Sequence, residues 1–172
     1  EAYDALVLSP GASPLRPPIP GMECNRIVTL RTIPDTLRIR EFIDREQPKR
    51  AVVVGGGFIG LEMAENLKRA GLSVTVVEML PQILALLDLE MARVLHNHLQ
   101  SEGIELLLCT QVLGFDETKA GLTVRFVEET LDCDMVVMAV GVRPDTAFLK
   151  DSGLAMTERG LLLVDEHMRT ND

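Results

Sequence analysis

One stretch decides the fold: Val52-Val53-Val54-Gly55-Gly56-Gly57-Phe58-Ile59-Gly60. An apolar strand pattern runs directly into a G-x-G-x-x-G loop, and a helical pattern follows at once. A second β-branched run, residues 74–77, stops on Glu78, eighteen residues after the last glycine of the loop. A glycine loop alone is weak evidence, but the order strand, loop, helix, strand and acid is typical of a dinucleotide-binding βαβ unit.

Each residue of this unit has a physical task. Gly55 permits the tight turn, Gly57 leaves room for a pyrophosphate beside the main chain, and Gly60 lets the helix pack close to the strand. The free amides and partial positive charge of the helix N-terminus then face the phosphates. The alternative is purely structural: the glycines tighten a βαβ corner, and Glu78 ends its strand in solvent.

The acid at the end of the second strand predicts which dinucleotide is bound. The carboxylate of Glu78 can accept hydrogen bonds from the 2′- and 3′-hydroxyls of a ribose, whereas a 2′-phosphate there would meet like charge. Residues 79–82 contain no Arg or Lys to receive such a phosphate. We therefore expect NAD(H) rather than NADP(H).

Composition excludes several classes of function. The chain has 172 residues, 47% of them hydrophobic, which is enough for the core of one domain. Its net charge of -9 disfavours nucleic acid as a partner. We find no signal-peptide pattern and no apolar run approaching about 18 residues, so no membrane association is expected.

The cysteines and histidines predict neither a metal site nor catalysis. Cys24, Cys109 and Cys133 form no C-x-x-C pair and lack a histidine spacing suited to zinc. Their odd number and strand-like surroundings favour a reducing compartment, and hence the cytoplasm. The histidines, which are expected to lie in solvent without a role, are His96, His98 and His167.

The pattern along the chain predicts an α/β fold. We expect a Rossmann-like parallel sheet with helices on both faces and an inserted antiparallel β ribbon. The expected helices cover residues 34–47, 58–70, 88–102 and, briefly, 146–151. The expected strands cover residues 27–30, 51–54, 74–78, 104–108, 135–140 and 161–164, with the ribbon formed by 111–116 and 122–128. Residues 10–21 are read as a proline-rich connector, and residues 83–87 as an apolar patch of undefined form. The inner face of the helix after Asp88 is expected to consist of Met91, Val94, Leu95 and Leu99.

The predicted topology places the candidate residues together. Ligands of parallel α/β sheets bind outside the carboxyl ends of the strands. Gly57, Glu78 and Gly141 each follow such a strand end, so one crevice is expected to hold a single dinucleotide.

Two segments resemble a known family. Residues 55–62 and the run Gly141-Val142-Arg143-Pro144-Asp145-Thr146 are similar to the pyridine nucleotide–disulfide oxidoreductases. In these flavoenzymes an NAD domain interrupts the FAD domain, and a dimerisation domain follows. Residues 3–11 and 19–21 resemble the exit from that FAD domain, and residues 168–172 resemble the run before its second FAD motif. The resemblance therefore implies a fragment: residues 1–26 are a connector from a missing FAD domain, 27–145 the NAD(H)-binding domain, and 146–172 a return segment.

Residues 9–14 and 78–82 resemble one subgroup, the NADH oxidases, coenzyme A–disulfide reductases and NADH-dependent persulfide reductases. The implied function is to present NADH for hydride transfer to the FAD of the same parent chain, which is expected to be a homodimer. The family's redox cysteine lies in the missing domain, so the isolated fragment is expected to be inactive. The rival interpretation is a non-catalytic NAD(H)-sensing module.

The motif and the resemblance together define the expected cofactor-binding residues, and no catalytic residue or metal ligand is expected in this chain. Phe58 stands where the family more often has the Tyr that gates the nicotinamide side of the flavin. Glu62 matches an acid near the nicotinamide–flavin contact, and Gly141 a glycine whose backbone lies near the nicotinamide. The simpler alternatives are packing for Phe58 and a surface helix acid for Glu62. The expected cofactor-binding set is Gly55, Gly56, Gly57, Phe58, Ile59, Gly60, Glu62, Glu78, Met79 and Gly141.

Overall fold

The computed structural model describes residues 3–172. The chain forms two compact units: Pro14–Gly141 is one, and residues up to Ser13 together with Val142–Asp172 are the other. The functional division at residues 26 and 145 stays a prediction, because compactness alone does not identify which segment binds a ligand.

The elements follow the expected order. The helices are α1 (Ile33–Glu46), α2 (Phe58–Arg69) and α3 (Leu89–Ser101), and a 3-10 turn covers Ala147–Leu149. The strands are β1 (Ala12–Pro14), β2 (Ile27–Val28), β3 (Arg50–Val54), β4 (Ser73–Val77), β5 (Ile104–Leu107), β6 (Gly114–Glu117), β7 (Leu122–Arg125), β8 (Thr130–Cys133), β9 (Met135–Met138) and β10 (Val142–Pro144). Among residues 3–172, no helix combines the length and apolar character needed to cross a membrane.

A parallel sheet forms the centre of the Pro14–Gly141 unit. Its five strands lie in the order β2-β9-β3-β4-β5, and every neighbouring pair is parallel. The central strands are nearly continuous runs of β-branched and other apolar residues, which is typical of strands covered on both faces. The predicted α/β fold class with a Rossmann-like sheet is confirmed.

The layers differ from the prediction in one respect: the helices do not occupy both faces. Buried residues of α1, α2 and α3 pack together against one face of the sheet. The antiparallel strands β6 and β7 and the end of β8 pack against the other. The reason is that the antiparallel strands carry a dry side of their own, which must be buried and leaves no room for a helix on that face. The buried strand residues forming this second contact are Ile27, Val52, Val54, Val77, Val136 and Met138 from the parallel sheet, and Phe115, Leu122, Val124 and Cys133 from the antiparallel one.

The inserted antiparallel sheet has three strands where two were predicted. β6 pairs with β7, and β7 pairs with β8, so β7 is central. The missed strand, Thr130–Cys133, is short and largely exposed, and only Cys133 is fully buried. Its four residues alternate polar and apolar, but the run is at the lower limit of length for such a signal and is followed one residue later by the apolar run of β9.

The predicted inner face of α3 was also partly wrong. Met91 and Val94 are 59% and 62% exposed, whereas Ala92 and Leu99 are buried and Leu95 is half-buried. The buried stripe is therefore Ala92, Leu95 and Leu99, a spacing of i, i+3 and i+7. The prediction favours the larger side chains, whereas the buried position near the start of α3 is the small residue Ala92.

The other unit contains little regular structure. β1 pairs with β10, and near this pair the Ser13 hydroxyl donates to Asp145 Oδ2 at 3.0 Å. Both strands lie in segments interpreted as loop. The expected helix at 146–151 shortens to a 3-10 turn, and the expected strand at 161–164 is replaced by a single bridge between Met156 and Leu162.

Candidate dinucleotide-binding site

The candidate site lies where β3, β4 and β9 end. The Gly55 amide donates to the Val77 carbonyl at 2.8 Å, and the Ala139 amide donates to the Val54 carbonyl at 2.8 Å. Three strand ends are thus tied side by side at one edge of the sheet. This geometry brings the glycine loop, Glu78 and the segment leading to Gly141 to the same edge.

Two of the glycines are required by the fold itself. Gly55 has φ +111°, and a Cβ there would collide with the Ala139 carbonyl oxygen. A Cβ on Gly60 would collide with the Gly55 carbonyl oxygen, because α2 begins so close to the end of β3. These glycines fit their predicted places in the corner, but a purely structural corner needs them equally.

Gly57 distinguishes a nucleotide-binding loop from a purely structural corner. It is exposed and is the N-cap of α2, with φ −83° and ψ 180°, a conformation open to any residue. A Cβ on Gly57 would meet nothing within 4 Å. Neither backbone conformation nor packing within the chain requires a glycine here. Open space beside a helix N-terminus is what an approaching phosphate needs.

The N-terminus of α2 carries no cap of its own. No side chain accepts a hydrogen bond there, and the first turn contains no acidic residue. Among residues 3–172, the amides of residues 57–60 donate to no acceptor, and the first amide that does so is that of Leu61, to the Gly57 carbonyl. Unpaired amides at the positive end of a helix bind anions, so these residues fit a diphosphate.

Glu78 follows β4 directly and is held in place. Its Oε2 accepts from the Gly56 amide at 2.7 Å, and its Oε1 accepts from the Leu80 amide at 2.9 Å. Its backbone amide donates to the Leu107 carbonyl, and its carbonyl accepts from the Thr110 amide. The carboxylate is half-buried against the glycine loop, so it is not a free strand end. Each of its oxygens keeps a further lone pair, which a ribose hydroxyl can use.

The other predicted residues lie on the same elements with fewer contacts. Phe58 and Met79 are 65% and 67% exposed, and Ile59 and Glu62 are exposed on the first turns of α2. Gly141 has φ +111°, and its carbonyl accepts from the Leu15 amide at 2.9 Å. Hydrogen bonds thus unite Gly56 with Glu78, while Gly141 is linked to the loop only through Ala139, two residues earlier.

Two residues that the sequence interpretation missed support this site. Ile83 is fully buried, and its Cγ2 lies 2.8 Å from where a Cβ on Gly56 would stand. The Ile83 amide donates to His96 Nε2 at 3.3 Å. His96, expected to be solvated, is half-buried, and its burial, with a smaller effect of Arg93, lowers its pKa. The only sequence signal was the apolar patch at 83–87.

Two of the three cysteines, Cys24 and Cys133, show no sign of activation. Burial raises the pKa of the Cys133 thiol to about 12, and burial also raises the pKa of Cys24. Such thiols stay protonated at neutral pH and are poor nucleophiles. Within residues 3–172, His, Cys, Asp and Glu side chains form no group of three that could hold a metal ion.

Comparison with known proteins identifies the family. A family model described as pyridine nucleotide-disulphide oxidoreductase matches residues 1–172. The chain belongs to this family. Its members depend on FAD and NAD(H), which confirms the NAD(H) predicted from the residues and the FAD implied by the resemblance.

Two curated relatives show how much of a family member this chain covers. It is 40% identical over 174 residues to an NADH oxidase of Methanocaldococcus jannaschii, with 98% of this chain and 38% of that protein aligned. It is 34% identical over 170 residues to a coenzyme A disulfide reductase of Staphylococcus haemolyticus, with 99% of this chain and 37% of that protein aligned. The chain therefore spans less than two fifths of the length of these relatives.

Solved structures agree with the fold. The reduced CoADR-RHD of Bacillus anthracis matches all of this chain and 31% of its own, with 44% identity and a TM-score of 0.93. The water-forming NADH oxidase of Lactobacillus brevis, bound to NADH, matches 99% of this chain and 37% of its own, with 29% identity and a TM-score of 0.90. An engineered NADPH oxidase made from it, bound to NADPH, matches over the same shares with 28% identity and the same TM-score.

Proposed function

We propose that this chain is the NADH-binding domain of an FAD-dependent NADH oxidoreductase, with residues 27–145 forming that domain. Residues 1–26 and 146–172 would connect it to the FAD domain of the same parent chain. One observation carries the proposal: an uncapped helix N-terminus at Gly57 opens beside the held carboxylate of Glu78. The 38% coverage of an NADH oxidase supports a part of a longer flavoenzyme.

Different residues bind different parts of NADH in this proposal. The amides of residues 57–60 bind the diphosphate, and Glu78 accepts hydrogen bonds from the adenosine ribose. Phe58, Glu62 and Gly141 lie on the nicotinamide side, while Ile59 and Met79 provide apolar surface. NADH supplies a hydride for the flavin; the chain itself binds and orients the nucleotide.

Selectivity for NADH over NADPH is part of the proposal. In the engineered oxidase bound to NADPH, the substitutions include a glycine-to-alanine change and, eighteen residues further along, an aspartate-to-alanine change followed directly by alanine-to-arginine. Gly60 and Glu78 have the same spacing here, and Met79 follows where an arginine was introduced there. An intact acid without a following base supports NADH, since a 2′-phosphate would meet the carboxylate.

The subgroup, the partners and the compartment complete the proposal. The names of two relatives support an NADH oxidase or a coenzyme A–disulfide reductase, and a solved structure of an NAD-dependent persulfide reductase, 38% identical, supports the third member of the subgroup. The parent enzyme is proposed to be a cytoplasmic homodimer. The three free cysteines support a reducing compartment.

The test is to titrate the chain with NADH and then to follow NADH oxidation with an acceptor, with and without FAD. We expect saturable NADH binding and no sustained oxidation by the chain alone. Sustained oxidation without added flavin would show that a catalytic group lies within this chain, and absence of binding would refute the NADH site. The flanking sequence of the parent gene distinguishes the enzyme from an NAD(H) sensor. A second G-x-G-x-x-G motif upstream, followed by a cysteine, would support the enzyme, whereas an adjacent DNA-binding motif would support the sensor.

A further inference from the structure

Residues 80–87, here named the 80–87 loop, contact both halves of the candidate site. The Leu84 amide donates to the Gly56 carbonyl at 2.8 Å, and the buried Ile83 side chain packs against Gly56. At the start of the loop, the Leu80 amide donates to Glu78 Oε1. The loop therefore holds Gly56 in place, and Gly56 is the residue whose amide links the glycine motif to the Glu78 carboxylate.

The loop is itself held by one side chain of α3. The Ile83 amide donates to His96 Nε2, as described above. Besides its bonds to Gly56 and Glu78, the loop accepts one hydrogen bond from the Cys109 amide, at the Leu80 carbonyl and 3.0 Å. Two further bonds are internal: Gln82 Nε2 donates to the Leu87 carbonyl, and the Leu87 amide donates to the Leu84 carbonyl, each at 2.8 Å. A ring nitrogen accepts a hydrogen bond only when it carries no proton, so His96 must be neutral, with its proton on Nδ1.

We propose that His96 is a positioning residue of the NADH site: its neutral imidazole holds the 80–87 loop against Gly56 and Glu78, and its protonation weakens NADH binding. The inference rests on the proposed function of the glycine loop and Glu78. His96 touches neither the nucleotide nor a reacting atom, and acts only through Ile83.

Protonation removes the only acceptor that the structure offers the Ile83 amide. With His96 charged, the new Nε2–H faces the Ile83 N–H, so two donors confront each other and the amide is left without an acceptor. Because Ile83 packs against Gly56, displacement of the loop disturbs the amide that donates to Glu78. The effect reaches the ribose and diphosphate positions together.

The surroundings favour the neutral form. The 80–87 loop contains no titratable side chain. Arg93, one turn earlier on α3, is the charged group acting on His96 within the described chain, and its positive charge opposes protonation. Burial lowers the pKa of His96 from its ordinary value of 6.5, so the loop is held at neutral pH and loosens in mild acid.

The experiment measures the NADH dissociation constant of the full chain from pH 8 to pH 4.5, together with three variants. His96→Gln keeps an acceptor near the Nε2 position without a proton that titrates, and His96→Leu removes the acceptor. His98→Gln, on the same helix but exposed, is the matched control. At pH 8 we expect His96→Leu to weaken NADH about fivefold, with His96→Gln within about twofold of the unchanged protein.

The pH dependence of NADH affinity tests whether protonation of His96 weakens binding. Between pH 8 and 4.5 the unchanged chain and His98→Gln should lose up to about fivefold more affinity than His96→Gln, since titration of other groups is common to all of them. The Ile83 amide signal in ¹⁵N NMR spectra, recorded without NADH, should shift over the same pH range and stay constant in His96→Gln. Identical pH profiles for the unchanged chain and His96→Gln, with an Ile83 signal that does not move, would overturn the role of His96. Failure of the unchanged chain to bind NADH at pH 8 would instead refute the NADH site.

Discussion

The N-termini of α1 and α2 differ in whether their terminal backbone amides have hydrogen-bond acceptors. At α1, the Thr32 side chain accepts from the Asp35 amide, and Asp35 Oδ2 accepts from the Thr32 amide at 2.8 Å, a reciprocal capping box. At α2, the N-cap is Gly57, with no side-chain cap and no acid in the first turn. One helix satisfies its own terminal amides, and the other leaves them open at the edge of the parallel sheet.

This difference shows which helix end serves structure and which serves binding. A side-chain cap stabilises a helix by about 1 kcal/mol, so α2 forgoes that stabilisation when no ligand is present. An anion bound at Gly57 would supply the missing acceptors. The contrast therefore predicts that the same kind of substitution has opposite effects at the two N-caps.

Gly57→Val should produce the largest effect. Its branched side chain fills the open space in front of the α2 amides, and we expect NADH affinity to fall at least about a hundredfold. The free energy of unfolding should change by less than about 1 kcal/mol, because a Cβ at this position meets no neighbour. Calorimetric titration and denaturant unfolding measure the two quantities. A variant that binds NADH normally would assign Gly57 to the fold alone.

Glu78→Ala should come next. It removes the acceptor for the ribose hydroxyls, so NADH binding should weaken by about 1–3 kcal/mol. Loss of the negative charge should also reduce the preference for NADH over NADPH, which parallel titrations with both nucleotides will show. Equal affinity of the unchanged chain for NADH and NADPH would contradict the ribose assignment.

Thr32→Val reverses the pattern at the other helix. The valine has a similar shape but no oxygen to accept from the Asp35 amide, and the chain should lose about 1 kcal/mol of stability. NADH affinity should stay within about twofold, because the α1 N-terminus contributes nothing to the site. Urea unfolding and an NADH titration test this, and a large loss of affinity would show that α1 is coupled to the nucleotide.

The smallest effect concerns pH. The hydrogen bonds from the Thr32 side chain and backbone lower the pKa of Asp35 below its ordinary value of 3.8. The folded state thus favours the charged carboxylate, and its stabilisation, about 0.5 kcal/mol, is present above pH 3.8 and is lost as the pH falls through the lowered pKa. The stability difference between the unchanged chain and Asp35→Asn should shrink accordingly. A difference that is constant from pH 6 to pH 2.5 would contradict the capping box.

The α2 side of the contrast was visible in the sequence, because the strand before Gly55, the glycine loop and the acid after β4 form a local pattern. The Thr32–Asp35 capping box at α1 came from the structure. Ile83 and His96 were not predictable, since a packing contact with Gly56 and a hydrogen bond across thirteen residues leave no periodic signal. The prediction of helices on both faces of the sheet was wrong for a similar reason. The second face is covered by the inserted strands β6–β8, and this packing between distant segments leaves no local pattern.

The most direct measurement is a ¹⁵N NMR titration of the chain with NADH that follows both helix N-termini. The account predicts saturable shifts of the amides of residues 56–60, with those of residues 32–35 unchanged. Shifts spread evenly over both helix ends, or none at residues 56–60 at saturating NADH, would contradict the claim that the open end of α2 holds the nucleotide.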